Sequence, residues 1–324
     1  MSSRAPLLSI VVATHNRPDR LGDLLDSFAG QSAPAGTFEV VVVDDGSKDG
    51  RTEDILASHP ARDRLGLRVI RRPMAQGPAG ARNDGWRAAQ APLVAFTDDD
   101  CVATPDWVEE CRRAAITHPG AIVQGRTEPR PDELHHRGPF TRTLCIDRLG
   151  PFFQTCNILY PRQVLERLDG FDAEAYSAPG GEDTDLAWRA MEMGTPTVFA
   201  AEAVVQHAVE RHGPLGFLRI AWRWTDSMQA YSRHPDLRDA VFTKRFFWKP
   251  DHYLFVRALL ALVLPRRLRG LRRWLAWPYA VALVWRCLQP DARGPVLLPY
   301  LALHDAVEVG AVARAAVRYR IPVL

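Results

Sequence analysis

Long apolar runs and paired cysteines are both scarce in this 324-residue sequence. No run of about 18 or more uncharged apolar residues occurs, so the sequence does not predict an ordinary membrane-spanning helix. The five cysteines are odd in number and lack CxxC spacing, which argues against a disulfide framework and favours a reducing cytosol. The segment 1–8 lacks a basic stretch followed by an apolar core, so we expect no secretory signal and a cytoplasmic protein.

Low-complexity segments and internal repeats are absent as well. Glycine and proline, 22 and 25 in number, are scattered rather than clustered, which excludes collagen-like and disordered classes. Because 47% of the residues are hydrophobic, we expect the chain to fold as one large domain or two modest ones.

Charge is nearly balanced overall, at +3, but it is unevenly distributed. The first 210 residues carry 22 basic and 31 acidic side chains, whereas the residues from Arg211 onward carry 19 basic and 7 acidic ones. An acidic front part suits metal and polyhydroxyl chemistry, and a basic, apolar tail suggests an anionic surface such as a membrane or nucleic acid. We therefore predict two parts with different roles, residues 1–212 and residues 213–324.

The front part alternates short apolar runs with helical patterns. Strand followed by helix, repeated along the chain, predicts an α/β fold with a mainly parallel sheet flanked by helices. In such sheets, ligands bind beyond the carboxyl ends of the strands. The predicted strands are 8–13, 40–43, 67–70, 93–96 and 203–205, and helices are predicted to begin near residues 18, 52, 77, 105, 161 and 183.

Three consecutive carboxylates, Asp98, Asp99 and Asp100, follow the fourth predicted strand. Like charges at contact distance repel unless a cation joins them, so the cluster predicts a divalent metal ion. Carboxylate oxygens favour Mg²⁺ or Mn²⁺, which in active sites usually serve phosphate groups. The alternative is an exposed acidic loop before the helix that begins near Pro105.

Two further acidic segments end a strand or begin a helix. Asp44-Asp45-Gly46-Ser47 is either a turn or a site where a carboxylate accepts hydrogen bonds from a base or a ribose. The segment 180–186, GGEDTDL, places acids at a helix N-terminus, where capping and the helix dipole alone would favour them. His207 follows an apolar strand, where a buried structural histidine is the ordinary interpretation.

Five segments, in this order, resemble the family 2 glycosyltransferases of GT-A fold. They are residues 8–31, VVDDGSKDG, GPAGARNDG, AFTDDDC and GGEDTDLAWR, and the resemblance covers roughly residues 7–207. It implies a GT-A (Rossmann-like) sheet whose nucleotide-binding half is about residues 1–103 and whose acceptor half is about residues 104–212. The sequence departs from the family at Cys101, where many members carry a further acid.

On the donor side, the resemblance implies a nucleotide-sugar site and a metal site. The residues implied for the nucleotide sugar are Thr14 and Arg17 beside the nucleotide, Asp44 or Asp45 at the base, Arg82 at the diphosphate, and Asp98 and Asp99. The residues implied as ligands of Mn²⁺ or Mg²⁺ are Asp98, Asp100 and His207. The expected donor is a UDP-, GDP- or dTDP-linked sugar.

On the acceptor side, the resemblance makes Asp183 the general base and gives Glu182 and Asn157 contacts with the acceptor. One displacement at the anomeric carbon by an acceptor hydroxyl inverts the configuration. The resemblance therefore implies an inverting, metal-dependent glycosyltransferase with a glycan or lipid-linked acceptor, in bacterial surface polysaccharide or glycolipid synthesis.

Two rival functions stay open at this point. A sugar nucleotidyltransferase normally has a Gly-rich phosphate loop after its first strand, and residues 13–18 contain no glycine. A catalytically inactive scaffold protein at a membrane is the other alternative. The joint presence of Asp98, Asp100 and Asp183 speaks against it.

The tail after Gly213 is rich in Trp, Arg and Leu. Arginines at 266, 267, 269, 272 and 273 lie between the apolar stretches 253–264 and 274–288. This pattern is typical either of an interfacial helix on anionic lipid headgroups or of a small helical bundle packed against the catalytic domain. The first interpretation predicts peripheral contact with the cytoplasmic face of the inner membrane. No nucleic-acid-binding motif occurs, so we expect no nucleic-acid partner.

Overall fold

The computed structural model describes residues 5–289, 291 and 294–324. The chain forms two compact units: the first takes in the residues up to Leu134 together with Thr143–Val209, and the second takes in His135–Arg142 and Glu210–Leu324. Each unit has its own buried interior. The first four residues, which are part of the segment expected to lack a secretory signal, lie outside the described residues.

Strands and helices alternate through most of the front of the chain, and after β10 the described residues form helices and their connections. The strands are β1 (Leu8–Thr14), β2 (Phe38–Asp44), β3 (Arg68–Arg71), β4 (Leu93–Asp98), β5 (Cys101–Ala103), β6 (Ile122–Pro129), β7 (Thr141–Arg142), β8 (Ile158–Pro161), β9 (Thr197–His207) and β10 (Glu210–Arg211). The helices are α1 (Pro18–Ala29), α2 (Arg51–Ser58), α3 (Pro78–Ala88), α4 (Trp107–Thr117), α5 (Arg162–Leu168), α6 (Glu182–Glu192), α7 (Gly213–Arg233), α8 (Pro235–Val241), α9 (Pro250–Val263), α10 (Arg269–Cys287) and α11 (Leu298–Tyr319).

An eight-stranded sheet runs through the first unit in the order β3-β2-β1-β4-β8-β6-β9-β5. β1 pairs in parallel with β2 and with β4, and β2 pairs in parallel with β3. β8 lies antiparallel between β4 and β6. The predicted α/β fold, a mainly parallel sheet flanked by helices and followed by a helical C-terminal region, is confirmed.

The core of the first unit lies where helices cover this sheet. Every residue of β2 is buried, as expected for a strand covered on both faces. α1 turns its leucines and Phe28 into the core, where Phe28 stacks on Trp107 with ring centroids 5.8 Å apart. Each fully buried side chain of this size contributes about 1.5–3 kcal/mol, so the core fixes the strand ends from which the polar loops extend.

The segment 135–142 differs from the expected division of the chain. The sequence pattern leaves it in the front part, whereas in the structure it belongs to the second unit. β7 pairs antiparallel with β10, and the His212 N–H donates to the Phe140 carbonyl over 3.0 Å. Pairing between two-residue strands far apart in sequence leaves no periodic signal, so the sequence could not have predicted it.

The second unit contains the five helices α7–α11 and pairs several charged side chains in its interior. Lys249 Nζ lies 2.7 Å from Glu308, and Arg286 Nη1 lies 2.8 Å from Asp305. One stretch of the described residues, Pro295–Tyr319, is long and apolar enough to cross a membrane by length and composition. The search for uncharged runs passes over this stretch because Asp305 and Glu308 interrupt it. An 18-residue window within it has a mean hydropathy of 1.4, and 22% of that window is buried inside the protein.

Candidate active site

The carboxyl ends of β1, β2 and β4 meet at one edge of the sheet because these strands are parallel neighbours. Thr14 ends β1, Asp44 ends β2 and Asp98 ends β4. The register places Thr14 beside Asp44. The structure therefore brings the predicted donor-site segments to a common edge, which is where ligands bind in such folds.

Asp99 is held between two of the predicted nucleotide-binding residues. Thr14 Oγ1 donates to Asp99 Oδ2 over 2.8 Å. Arg17 Nη1 lies 3.3 Å from Asp99 Oδ1 and 2.9 Å from Asp100 Oδ2. Burial raises the pKa of Asp99 to about 7, although the charge of Arg17 opposes the rise. The loop after β1 and the loop after β4 are thus joined by charge-assisted hydrogen bonds.

Asp98, Asp100 and His207 form a set of three possible metal ligands, called here the metal-ligand set. Their ligand atoms all lie within 4.8 Å of one another, because the pairing of β5 with β9 puts Cys101 opposite His207. His207 Nδ1 lies 2.9 Å from the carbonyl oxygen of Ala208, which can only accept. In the neutral imidazole Nδ1 therefore carries the proton, and Nε2, 3.6 Å from Asp100 Oδ1, has the free electron pair. These donors fit a divalent cation.

Arg82, in α3, connects the metal-ligand set to α6. Its Nη2 donates to Asp98 Oδ1 over 2.8 Å, and its Nη1 donates to Glu182 Oε1 over 3.0 Å. Burial alone would lower the pKa of Arg82, but the carboxylates of Asp98 and Glu182 raise it above its ordinary value. The family resemblance implies that Arg82 faces a diphosphate, and here its guanidinium bridges donor-side and acceptor-side acids.

α6 begins with three acids in different environments. Both oxygens of Glu182 are engaged, since Oε2 also accepts from the Gly180 N–H over 2.7 Å. Asp185 is completely buried and lies 2.8 Å from Arg189. Asp183 accepts a hydrogen bond from the next backbone N–H, over 2.8 Å, and no described Lys or Arg forms an ion pair with it. Burial, followed by the charge of Glu182, raises the pKa of Asp183 to about 7, which suits a general base.

The two acids at the end of β2 differ in what they bind. Asp45 accepts hydrogen bonds from the backbone N–H groups of residues 76–77, over 2.9–3.1 Å, and from Arg72 Nη1 over 3.0 Å. Asp44 Oδ1 accepts from the Ser47 N–H over 2.8 Å, while its buried Oδ2 accepts no hydrogen bond from the described residues. Asp45 therefore secures the loop before α3, and Asp44 retains an acceptor oxygen.

Sequence reasoning missed Arg71, which ends β3, and Arg72, which directly follows it; β3 is the strand next to β2 in the sheet. Arg71 Nε lies 3.5 Å from Asp44 Oδ2, and Arg72 bridges Asp45 and Asp84. A signal was present, because two arginines follow the third apolar run, and neighbouring parallel strands end at the same edge. Gly77, at φ 95°, directly precedes α3, and a Cβ there would lie 2.3 Å from the carbonyl oxygen of Ser177, so only glycine fits.

The structure places Asn157 in the framework of the sheet. Its side chain is 1% exposed, its Nδ2 donates to the carbonyls of Arg126 and Ala203 over 2.6 and 2.8 Å, and its Oδ1 accepts from Trp107 Nε1 over 2.9 Å. A Cβ at Gly125 would lie 2.3 Å from this amide. The predicted acceptor contact of Asn157 does not agree with this placement, because the amide is enclosed and already joins β6, β9 and α4.

Comparison with known proteins supports the assignment that the motifs suggest. Residues 9–169, which include most of the sheet edge described above, match the family model for glycosyl transferase family 2. The chain belongs to glycosyltransferase family 2. The resemblance stated from the five sequence segments is confirmed.

Among curated relatives of this family 2 chain is validoxylamine A glucosyltransferase of Streptomyces hygroscopicus subsp. jinggangensis. It is 33% identical over 238 residues, which cover 62% of this chain and 55% of the relative. A second validoxylamine A glucosyltransferase, from subspecies limoneus, is covered to 51%. The chain thus spans about half the length of these two relatives.

Solved structures resemble the family 2 chain along nearly its whole length. Mannosyltransferase PcManGT from Pyrobaculum calidifontis, in complex with GDP-Man and Mn²⁺, superposes with a TM-score of 0.59 at 22% identity, covering 98% of this chain and 88% of that one. TarS of S. aureus, in complex with UDP-GlcNAc, superposes with a TM-score of 0.53 at 18% identity, covering 97% and 91%. At these identities the likeness establishes the fold.

Proposed function

We propose that the chain transfers a glycosyl group from a nucleoside-diphosphate sugar to an acceptor hydroxyl, with inversion at the anomeric carbon. The observation that carries this proposal is the bridge formed by Arg82. Its guanidinium donates to Asp98, in the metal-ligand set, and to Glu182, next to the candidate base Asp183. Transfer by a single displacement needs two groups near the anomeric carbon. One stabilises the leaving diphosphate, and the other is a base that takes the proton of the attacking hydroxyl.

For the donor, we assign the nucleobase contact to Asp44. Its Oδ2 is buried and accepts no hydrogen bond from the described residues, so it can accept one from a base N–H. Each oxygen of Asp45 already has two donors, from Arg72 and the N–H groups of residues 76–77, which fill its lone pairs. Thr14, Arg17 and Asp99 lie at the same edge and would line the nucleotide. GDP-Man in PcManGT and UDP-GlcNAc in TarS support a sugar nucleotide as the donor class.

For the cofactor, we propose that Asp98, Asp100 and His207 hold Mn²⁺ or Mg²⁺. When bound, the ion would stabilise the negative charge that develops on the leaving diphosphate. The tautomer fixed by the Ala208 carbonyl turns the free electron pair of His207 to Nε2, which faces Asp100. The Mn²⁺ in the PcManGT structure supports this proposal. Arg82 adds a fixed positive charge beside Asp98.

For the acceptor, we propose that Asp183 takes the proton from the attacking hydroxyl and that Glu182 accepts a hydrogen bond from a neighbouring one. Each oxygen of Glu182 accepts a single hydrogen bond from the described residues and so keeps a second lone pair. With a pKa near 7, about half of the Asp183 carboxylates are ionised at neutral pH, and each is basic enough to accept a proton from a polarised hydroxyl. We propose a glycan or lipid-linked glycan of the bacterial surface as the acceptor. A cytoplasmic location agrees with the five free cysteines.

A panel of UDP-, GDP- and dTDP-sugars, each with and without Mn²⁺ or Mg²⁺, tests the proposed activity. We expect one nucleotide class to release nucleoside diphosphate slowly, only with metal. With methanol added as a simple acceptor, the methyl glycoside formed, which does not mutarotate, should have inverted anomeric configuration by NMR. Matched reactions with Asp183→Asn should release almost none. Release that proceeds equally with a chelator, or with retained configuration, would contradict the proposal.

A further inference from the structure

α10 carries a continuous apolar stripe on its exposed side. Six exposed apolar residues form this stripe. At about 100° of rotation per residue, they lie within an arc of about 100° around the helix axis and extend for about 20 Å along it. The α10 stripe consists of six residues, with their exposed fractions: Trp274 (65%), Trp277 (70%), Val281 (47%), Val284 (49%), Trp285 (63%) and Leu288 (70%).

The opposite side of α10 makes a buried polar contact. Tyr279 Oη donates to Asp305 Oδ2 over 2.8 Å, and Arg286 Nη1 lies 2.8 Å from the same oxygen. Lys249, directly before α9, and Glu308, on α11, form a second charged pair within the unit. A helix on the surface of a water-soluble protein normally turns its apolar stripe to the core. α10 does the reverse, so the stripe calls for an apolar environment outside the unit.

One end of the α10 stripe is strongly basic. Five arginines occur at positions 266, 267, 269, 272 and 273, and residues 264–289 contain no Asp or Glu. The adjoining end of α9 also exposes apolar side chains, with Leu262 at 70% and Val263 at 78% exposure. Exposed leucine, valine and tryptophan beside a cluster of largely exposed arginines match the layers of a membrane surface, where acyl chains lie beneath anionic headgroups.

We propose that the α10 stripe binds the surface of an anionic lipid bilayer, with its side chains at the headgroup–acyl boundary and the arginines at residues 266–273 on lipid phosphates. A second copy of the chain is a poorer occupant, because a two-fold contact would bring two copies of this positive cluster into one interface. A bilayer surface supplies both the apolar layer and the negative charge.

Vesicle flotation with the full chain tests the proposal. We expect the protein to float with vesicles of phosphatidylcholine mixed with phosphatidylglycerol and to stay unbound with phosphatidylcholine alone. Trp274→Gln with Trp277→Gln should lower the partition coefficient about tenfold or more, and so should Arg266→Gln with Arg267→Gln and Arg269→Gln. The matched control is Ile116→Gln, on α4 and 71% exposed, which should float like the parent protein.

Three results would overturn the proposal. The first is no preference for anionic vesicles by a protein that remains folded by circular dichroism. The second is equal loss of binding in Ile116→Gln. The third is an absence of vesicle binding together with a different partner. That partner would be a second copy, seen as a dimer in sedimentation velocity that Trp277→Gln dissociates, or duplex DNA, seen as tight, salt-sensitive binding. Because no donor sugar is involved, the result is independent of whether the glycosyl-transfer proposal holds.

Discussion

The two units of this chain differ in which side chains they leave exposed. In the first unit, β2 and the inner face of α1 are apolar and buried, and the acids gather where β1, β2 and β4 end. In the second unit, Asp305 and Glu308 lie inside, at 1% and 4% exposure, while tryptophans and leucines face outward. The first arrangement is typical of an α/β domain with a ligand cleft, and the second is the one on which the proposed lipid contact rests.

Two carboxylates, Glu308 in the second unit and Asp183 in the first, differ in their pKa. Burial would raise the pKa of Glu308, yet hydrogen bonding from His252 and the charge of Lys249 lower it to about 2. Burial raises the pKa of Asp183 to about 7, and the neighbouring Glu182 adds to the rise. A carboxylate stabilised by bonded cations is structural, whereas one left basic in a cleft is available for proton transfer.

Replacing Asp183 with Asn should have the largest effect. Without the carboxylate, no group accepts the proton of the acceptor hydroxyl, so we expect kcat to fall by about 10²–10⁴-fold while donor affinity stays within a few fold. Steady-state kinetics and calorimetric titration of the donor measure the two quantities. Asp185→Asn, two positions along α6, is the control: it removes the partner of Arg189 and should lower thermal stability more than kcat.

Replacing Asp305 with Ala should destabilise the second unit strongly. Arg286 and Tyr279 would lose their buried partner, and breaking such a pair costs about 3–5 kcal/mol. Urea unfolding followed by circular dichroism measures the loss. Asp226→Ala is the matched control, because its pair with Arg318 is exposed and should contribute less than about 1 kcal/mol. Equal losses in the two variants would contradict a charged interior.

Replacing His207 with Ala should lower metal-dependent donor affinity by about 10–100-fold, since one of three proposed ligands is lost. Titration of the donor at several Mn²⁺ concentrations measures the change. His135→Ala, an exposed histidine elsewhere in the chain, should behave like the parent protein. A donor affinity that His207→Ala leaves unchanged at every Mn²⁺ concentration would remove His207 from the metal site.

Asp183 should also make a smaller, pH-dependent contribution to stability. Its pKa is about 7 in the folded chain and near 3.8 when unfolded, so between these values the unfolded state releases a proton that the folded state keeps. This group therefore lowers stability as pH rises from about 4 to about 7. Thermal unfolding should show that Asp183→Asn gains a few degrees over the parent at pH 8 and none at pH 4, whereas the exposed Asp169→Asn gains none at either.

Much of the first unit could be predicted from local patterns. Apolar runs gave β1, β2, β3 and β4 within a few residues, and the acids after them fell at the expected edge. Asn157 shows where such reasoning stops. Its partners Trp107, Arg126 and Ala203 are far apart in sequence, and each contact arises only after the sheet has assembled. Motif position alone could not reveal that its amide is enclosed.

The second unit was harder to predict for a different reason. The spacing from Trp274 to Leu288 indicates that α10 is amphipathic, but periodicity does not state which face is buried. The buried face of α10 is the one that carries Tyr279 and Arg286, because both side chains contact Asp305 on α11. A polar network of this kind reverses the usual orientation of the helix, and only the tertiary structure shows it.

The most direct test of the account separates donor binding from chemistry in two variants of the full chain. Donor affinity and nucleoside diphosphate release are measured side by side, with and without Mn²⁺, for the parent protein, Asp183→Asn and His207→Ala. We predict that Asp183→Asn keeps metal-dependent donor binding and loses release, while His207→Ala loses both. Loss of donor binding in Asp183→Asn, or unchanged metal-dependent binding in His207→Ala, would contradict the division of the cleft into a metal-ligand set and a separate base.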